Sequence, residues 1–200
     1  MFAQFTADLP RALRRARATI IAVAITYLFS LTTGIFMVHS GNEFALSFRD
    51  RLVSEAQSGS VLTQADPISM AVADFSGNLR GAVSDALGGL GVIFPFPFVA
   101  YRGWVGGIVS VDSSHASRLL NPVSAAYYLS VLILQLIGYT LAAGAGVNAG
   151  LSFWRTRPEY SEKKWLGMST GALFDLGRIF VIVIPILLLA SLWEFLSPWR

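Results

Sequence analysis

An uninterrupted apolar run near the N-terminus constrains the fold of this chain most. Residues 18–38 are 21 consecutive positions without a charged side chain, and an α-helix of that length crosses the roughly 30 Å hydrocarbon core of a bilayer. The composition agrees, because 54% of the residues are hydrophobic and 14% are charged, whereas soluble domains have about 25% charged residues. The sequence therefore predicts an all-α, polytopic membrane protein.

The other apolar segments predict one membrane domain over residues 1–200, a bundle of about five transmembrane helices. The predicted spans are residues 18–38, 70–90, 91–111, 124–152 and 176–195. A glycine-rich turn is expected between the second and third spans, and two prolines are expected to bend or unwind the start of the third. After the first span, Phe44, Phe48 and Leu52 have helical spacing, which predicts a short amphipathic helix on the membrane surface.

Basic residues form two clusters beside the apolar segments and indicate the orientation of the chain. One cluster directly precedes the first span, and the other lies between the fourth and fifth spans. Their members are Arg11, Arg14, Arg15, Arg17, Arg155, Arg157, Lys163 and Lys164. Cytoplasmic flanks carry an excess of Lys and Arg. We therefore expect a multi-pass protein of the cytoplasmic (inner) membrane, with its N-terminus in the cytoplasm and its basic clusters near anionic lipid.

Residues 1–17 combine the first basic cluster with apolar side chains such as Phe5 and Leu9 on one helical face. This pattern predicts an interfacial amphipathic helix lying on the cytoplasmic leaflet. The alternative is a plain flank whose only role is to orient the first span.

Residue types and motifs that the sequence lacks exclude several function classes. There is no cysteine, so disulfides, thiolate metal sites and cysteine nucleophiles are excluded. His39 and His115 are far apart and have no carboxylate at ligand spacing, so we expect neither a metal nor a cofactor. The chain has no Gly-x-Ser-x-Gly and no Walker A motif, so we expect no enzymatic activity. Its basic clusters have no interleaved aromatics, so we expect no nucleic-acid partner.

A stripe of polar and glycine residues runs along the second predicted span. It consists of Asp74, Asn78, Gly81, Asp85 and Gly88. At 100° per residue these positions fall within about an 80° arc of a helix, and Arg102 on the next span is expected to reach Asp74 or Asp85. Three interpretations stay open: packing and hydrogen bonding between helices, a position near the inner interface, or a polar path that binds a cation or carries protons.

Several residues are arranged as in a known family. The second and third spans contain a Phe-x-x-Asn motif, then glycines, then a Gly-x-x-Gly motif, and further matches follow in the fourth and fifth spans. The matching residues are Phe75, Asn78, Gly103, Gly106, Gly138, Glu194 and Pro198. In this order the chain resembles the stage II sporulation protein M family of integral membrane proteins over most of its length.

The chain departs from the pattern of that family in two places. The family has Pro-His-Gly and then Glu at the start of its fourth span, whereas residues 121–126 here read NPVSAA. Arg102 also stands where the family has Asn before Gly103. Any role of the family's His and Glu therefore cannot be carried over to this chain.

The resemblance implies a membrane fold, and the best-known family members are scaffolds for a peptidoglycan-degrading machine. Our first hypothesis is a non-catalytic integral membrane subunit or scaffold of a protein complex. Its partners would be membrane lipid and other membrane proteins or further copies of itself. The alternative is a transporter-type permease subunit that works with a separate cytoplasmic ATPase, since this chain has no nucleotide motif.

Overall fold

The structure is a computed structural model of the 200-residue chain and describes residues 5, 7–58, 66–154, 160 and 164–199. Within those residues the chain forms six helices and one two-stranded hairpin. In chain order these elements are α1 (Leu9–His39), α2 (Glu43–Ser58), α3 (Pro67–Gly89), α4 (Pro95–Ile108), α5 (Pro122–Trp154), β1 (Lys164–Trp165), β2 (Met168–Ser169) and α6 (Thr170–Leu196).

Three helices, α1, α5 and α6, are each long and apolar enough to cross a membrane. This agrees with the helical membrane protein that the sequence predicts. The two other helices that were predicted as spans, α3 and α4, are more polar or shorter than these three. α3 has 23 residues but carries Asp74, Arg80 and Asp85, and α4 has 14 residues, which is about 21 Å of helix.

The helices lie side by side with alternating direction, so the bundle has two ends. At one end Arg15 of α1 contacts Asp175 of α6, and at the other His39 of α1 contacts Ser117 in the α4–α5 loop. We name these the Arg15 end and the His39 end. α1, α4 and α6 run from the Arg15 end to the His39 end, and α3 and α5 run the opposite way.

Helix α5 is the centre of the bundle because small residues let three neighbours approach its backbone. Gly138 lies against Leu187 of α6, and Gly144 lies against the backbone of Ile20 in α1. Gly146 contacts the backbone of α3 at Ala86 so closely that a Cβ atom would not fit. Close backbone approach of this kind is the usual basis of helix packing in membranes.

Helix α4 packs along α1 through a second set of glycines. Cβ atoms at Gly103 and Gly107 would collide with the α1 backbone at Tyr27 and Leu31. The helix begins at Pro95, four residues after the predicted start of the third span. Proline has no N–H to donate but suits the first helical turn, where that N–H would have no partner in the helix. The predicted unwinding before the prolines is therefore confirmed.

The predicted interfacial helix over residues 1–17 stays a prediction, since the structure describes residues 5 and 7 onward and places residues 9–17 within the first long helix. Residues 9–17 are the first turns of α1, which continues without a break to His39. Pro10 lies in the first turn, where proline is tolerated, and no helix-breaking residue lies between it and residue 17. Residues 1–4 and residue 6 lie outside the described part of the chain.

The predicted amphipathic helix after the first span is confirmed as α2. Its apolar face docks on α4: the rings of Phe44 and Phe48 lie 5.9 and 5.0 Å from the ring of Trp104. Its polar face reaches the α4–α5 loop, where His115 contacts Asp50 at 3.0 Å. The α2 helix is therefore held on the bundle at the His39 end.

The fold is all-helical, as predicted, and its one two-stranded element in the described residues is the short β1–β2 hairpin in the loop before α6. Its two turn residues, Leu166 and Gly167, have φ values of 49° and 81°, as in the type I′ turns that join tight hairpins. The turn residues Leu-Gly are not among the strongest hairpin signals, and the strands have two residues each, too few for a periodic pattern. Ser169 anchors the hairpin, because its N–H donates to Oγ of Ser152 at 3.0 Å.

Candidate functional site

A polar network joins α3 to α6 in the half of the bundle nearer the His39 end. The hydroxyl of Ser191 donates to the Asp74 carboxylate at 2.7 Å, and the amide of Asn78 donates to the same oxygen at 2.7 Å. The hydroxyl of Tyr139 in α5 donates to the Asn78 carbonyl oxygen. Three helices are therefore tied together through one carboxylate and one amide.

Arg102 of α4 continues this network toward the Arg15 end. Its guanidinium carbon lies 4.2 Å from the centre of the Tyr139 ring, a cation–π distance. On the other side it contacts Gly81 so closely that a Cβ atom there would overlap a guanidinium nitrogen. Its Nε atom is 3.4 Å from a carboxylate oxygen of Asp85. Because Gly81 has no side chain, the Arg102 guanidinium fits between α3 and α5.

The Arg102–Asp85 contact leaves hydrogen-bonding capacity unused on both sides. Asp85 is 2% exposed, and its Oδ2 atom, the one nearest Arg102, accepts no hydrogen bond. Arg102 is 30% exposed, and in the part of the chain that the structure describes its side chain donates no hydrogen bond. A guanidinium has five N–H donors, so these donors are free for a group that comes from outside the chain.

These donors face a cleft of about 410 Å³ between α4 and α5. Five of the six tyrosines of the chain line it, together with Arg102, Asn78, Gln135 and apolar side chains. The tyrosines are Tyr27, Tyr101, Tyr127, Tyr128 and Tyr139. Tyrosine presents a broad apolar ring and a polar tip, so the walls suit a ligand that has both apolar and polar parts.

The cleft continues toward the His39 end into a wider cavity of about 700 Å³. Arg118, Tyr127, Tyr128 and Glu194 line both spaces. Glu194 accepts a hydrogen bond from the amide of Gln135 at 3.2 Å, and the Arg118 side chain is exposed. Together the two spaces connect the Arg102 site with the His39 end of the bundle.

The charges around the mouth are of both signs. Asp112 also lines the wider cavity, and hydrogen bonds from the hydroxyl and N–H of Ser114 lower the pKa of its carboxyl group. Arg118 is the cation of the mouth, and Glu194 and Asp112 are its anions. The mouth therefore has no excess of positive charge, and Arg102 supplies the cation at the inner end of the cleft.

The structure brings together most residues of the predicted stripe. Asp74, Asn78, Gly81 and Asp85 lie on one side of α3 and contact α4, α5 or α6. Gly88 does not belong to the cluster: it lies near Phe94 in the turn before α4, and a Cβ atom would fit there. Sequence reasoning missed Tyr139 and Ser191, because a tyrosine and a serine in apolar spans carry no signal of the partner that they meet.

The residues of the family resemblance have varied surroundings. Asn78 belongs to the polar network, Gly103 and Gly106 lie on the α4 faces toward α1 and the cleft, and Gly138 contacts α6. Phe75 packs against the apolar core, Glu194 lines the cleft mouth, and Pro198 is exposed after the end of α6.

The basic residues of the first cluster divide into two groups. Arg11, Arg14 and Arg17 are exposed. Arg15 instead forms two hydrogen bonds of 2.6 Å with the buried carboxylate of Asp175. Of the second cluster, Lys164 is exposed on β1, while Arg155, Arg157 and Lys163 lie outside the described residues.

Asp175 is the centre of a charge network that the sequence did not reveal. Arg178, one turn along α6, donates to it at 2.9 Å and to Asp8 at 3.2 Å, and Asp8 also pairs with Arg11 at 3.0 Å. The only available signal was the i, i+3 spacing of Asp175 and Arg178. The network joins the beginnings of α1 and α6 at the Arg15 end.

Among the described residues, no three His, Asp or Glu side chains converge as a metal site would require. No family model, curated protein or solved structure matches the chain.

Proposed function

We propose that the protein is a non-catalytic integral membrane subunit that crosses the cytoplasmic membrane five times, with its N-terminus in the cytoplasm. Two observations favour α3 and α4 as further crossings. α3 follows α5 and α6 along its length, from the Asp74–Ser191 contact to the contact of Gly89 with Gly146. α4 follows α1 from Gly103 to Gly107. The Arg15 end, with its exposed arginines, would be the cytoplasmic end.

The observation that carries the subunit proposal is the position of Arg80. This arginine lies near the middle of α3 on the face that points away from the bundle, and it is exposed. Its Nε atom donates to the carbonyl oxygen of Ser76 at 3.1 Å, and in the described part of the chain it has no carboxylate partner within ion-pair distance. A charged side chain facing lipid at such a depth is costly, so a partner protein would cover it.

The surface around Arg80 suits a protein partner. Ser76, Gly77 and Ser84 are exposed on the same face, and a Cβ atom at Gly77 would meet nothing within 4 Å. Small residues allow a second helix to approach closely. We call Ser76, Gly77, Arg80 and Ser84 the α3 outer face and propose it as the contact with another membrane protein or a second copy.

Purification from native membranes in mild detergent tests this proposal. We expect the tagged protein to migrate as a complex, and Gly77→Leu or Arg80→Gln to release it from that complex. Phe29→Ala is the matched control, since Phe29 is 73% exposed on α1 and would face lipid. A lone monomer that recovers no partner, or a complex that both α3 variants leave intact, would contradict the proposal.

The recovered partner also tests the family relation, which we propose on the matching residues described above. If the chain is a relative of the stage II sporulation protein M family, the complex should contain a cell-wall hydrolase or a membrane protein that recruits one. A complex with neither would remove this part of the proposal and leave the subunit role intact.

A permease-type subunit is the second candidate function, and the cleft from the His39 end to Arg102 is the observation that favours it. In that case the acids of the α3 network would line a path through the membrane, and a separate ATPase would contact the cytoplasmic loops. Flux through reconstituted complex is the test. Flux that Asp74→Asn and Asp85→Asn leave unchanged, or no flux in the wild type, would exclude this path.

A further inference from the structure

We propose that the cleft between α4 and α5 is a binding site for an organic anion that enters from the His39 end, with its carboxylate or phosphate group on Arg102. This site is on the opposite side of α3 from the outer face and does not depend on the subunit role. Its volume of about 410 Å³ lies in the range of small-molecule sites in proteins.

The surroundings of the Arg102 guanidinium favour an anionic ligand. Two parts of its surroundings hold the guanidinium: the Tyr139 ring on one side and the Gly81 backbone on the other. The Tyr139 ring offers no acceptor in the plane of the guanidinium, the contact with Asp85 is an ion pair at 3.4 Å, and among the described residues Arg102 donates no hydrogen bond. A planar guanidinium held in this way matches the two oxygens of a carboxylate or phosphate in a bidentate pair.

Asp85 does not prevent anion binding, because its carboxylate is buried while the Arg102 side chain is partly exposed at the cleft. Its buried carboxylate lies behind Arg102 and keeps the charge and orientation of the guanidinium fixed, as a supporting group does in preorganised sites. An incoming anion would then use the N–H groups that point into the cleft.

The side chains that line the cleft indicate the chemistry of the rest of the ligand. Tyr101, Tyr128, Val105 and Leu132 line the cleft, and they suit an apolar or aromatic body next to the anionic group. Three of the five tyrosine hydroxyls are already engaged as donors: Tyr127 to the carbonyl oxygen of Glu194, Tyr128 to that of Gly106, and Tyr139 to Asn78. At the mouth Arg118 offsets only one of the two acids, Glu194 and Asp112, so a ligand with one anionic group is repelled less there than a ligand with two.

Two sources supply this chemistry: a free organic acid from the aqueous side at the His39 end, or the headgroup of an anionic phospholipid that reaches the cleft between the helices. Both present one anionic group attached to an apolar body.

Binding is measured on the full chain in phosphatidylcholine nanodiscs, with sodium benzoate and inorganic phosphate as probes against sodium chloride at equal ionic strength. We expect benzoate to raise the melting temperature saturably in the wild type. Arg102→Gln should weaken this binding about tenfold or more, because a charge-assisted bidentate contact is lost. Arg51→Gln is the matched control, since Arg51 is exposed on α2 at the same end of the bundle.

Arg102→Lys replaces Arg102→Gln if the latter does not fold, because lysine keeps the charge but loses the planar fork. The same measurements in nanodiscs that also contain phosphatidylglycerol identify the source. Phosphatidylglycerol that stabilises the wild type and displaces benzoate indicates a lipid headgroup, while unchanged benzoate affinity indicates a free acid. The proposal is overturned if benzoate, phosphate and phosphatidylglycerol all fail to stabilise the protein, or stabilise the Arg102 variants equally.

Discussion

The guanidinium of Arg102 and the carboxylate of Asp85 face each other at 3.4 Å with very different access to solvent. Asp85 is 2% exposed, whereas Arg102 is 30% exposed and borders the cleft. Loss of one partner therefore has different consequences for the other. A carboxylate without its cation would stay buried, whereas a guanidinium without its anion would still face the cleft.

Arg102→Gln should therefore destabilise the protein more than Asp85→Asn. An uncompensated buried charge costs about 3–5 kcal/mol, and we expect a loss in this range for Arg102→Gln and a loss of about 1 kcal/mol for Asp85→Asn. Unfolding titrations in detergent measure both free energies. The double variant Arg102→Gln/Asp85→Asn should be more stable than Arg102→Gln alone. Equal losses of unfolding free energy in the two single variants would show that the difference in exposure between Arg102 and Asp85 does not determine the cost of removing either partner.

The neighbouring residues Gly88 and Gly89 give a second prediction. A Cβ atom at Gly89 would lie 2.6 Å from the Gly146 backbone, while at Gly88 the nearest atom, in the Phe94 side chain, is 3.7 Å away. Backbone atoms of two packed helices cannot move aside locally, so Gly89→Ala should cost about 1–3 kcal/mol. Gly88→Ala should change stability by about 0.5 kcal/mol or less. Thermal unfolding of the two variants decides, and similar melting temperatures would contradict the close contact of α3 and α5.

Much of the helical framework could be predicted from the sequence because apolar runs and breakers are local signals. The predicted boundaries 70–90, 124–152 and 176–195 each overlap a helix of the structure. The third span was predicted to begin at residue 91 with an unwound first turn, and the helix begins at Pro95, since proline restricts the residues before it. Near residue 17 the composition changes from polar to apolar while α1 continues from Leu9 to His39, because arginines do not end a helix.

Only part of the candidate site could be predicted from the sequence, because no local sequence pattern shows which residues on different helices will contact each other. The stripe on α3 follows from helical periodicity, and the need of Asp85 for a cation follows from the cost of a buried charge. Ser191 and Tyr139 could not be found in this way, since each is a single polar group in an apolar span. Arg15 was grouped with the exposed arginines by sequence proximity, although a one-residue step turns a side chain by 100° around a helix.

The contact of α2 with the loop between α4 and α5 should depend on pH. Hydrogen bonds from Arg49 and His115 lower the pKa of the Asp50 carboxyl group, so its ionised form stabilises the docked α2. This contribution is complete above the ordinary aspartate value of about 4 and is lost as the pH falls through the lowered pKa. Asp50→Asn should thus lower the melting temperature at neutral pH, and the difference from wild type should vanish in strong acid. A difference that stays constant with pH would contradict this role of Asp50.

The junction of α1 and α6 at the Arg15 end should depend on one buried carboxylate. Asp175 is 1% exposed and accepts hydrogen bonds from Arg15 at 2.6 Å and from Arg178 at 2.9 Å. Asp175→Asn keeps the shape of the side chain but leaves two half-buried arginines without their shared anion, so we expect a loss of about 3–5 kcal/mol. Arg17→Gln is the matched control on the same helix; it removes an exposed charge and should change stability by about 0.5 kcal/mol or less. Unfolding titrations in detergent compare the two, and wild-type stability in Asp175→Asn would show that the packing of α1 on α6 does not need this network.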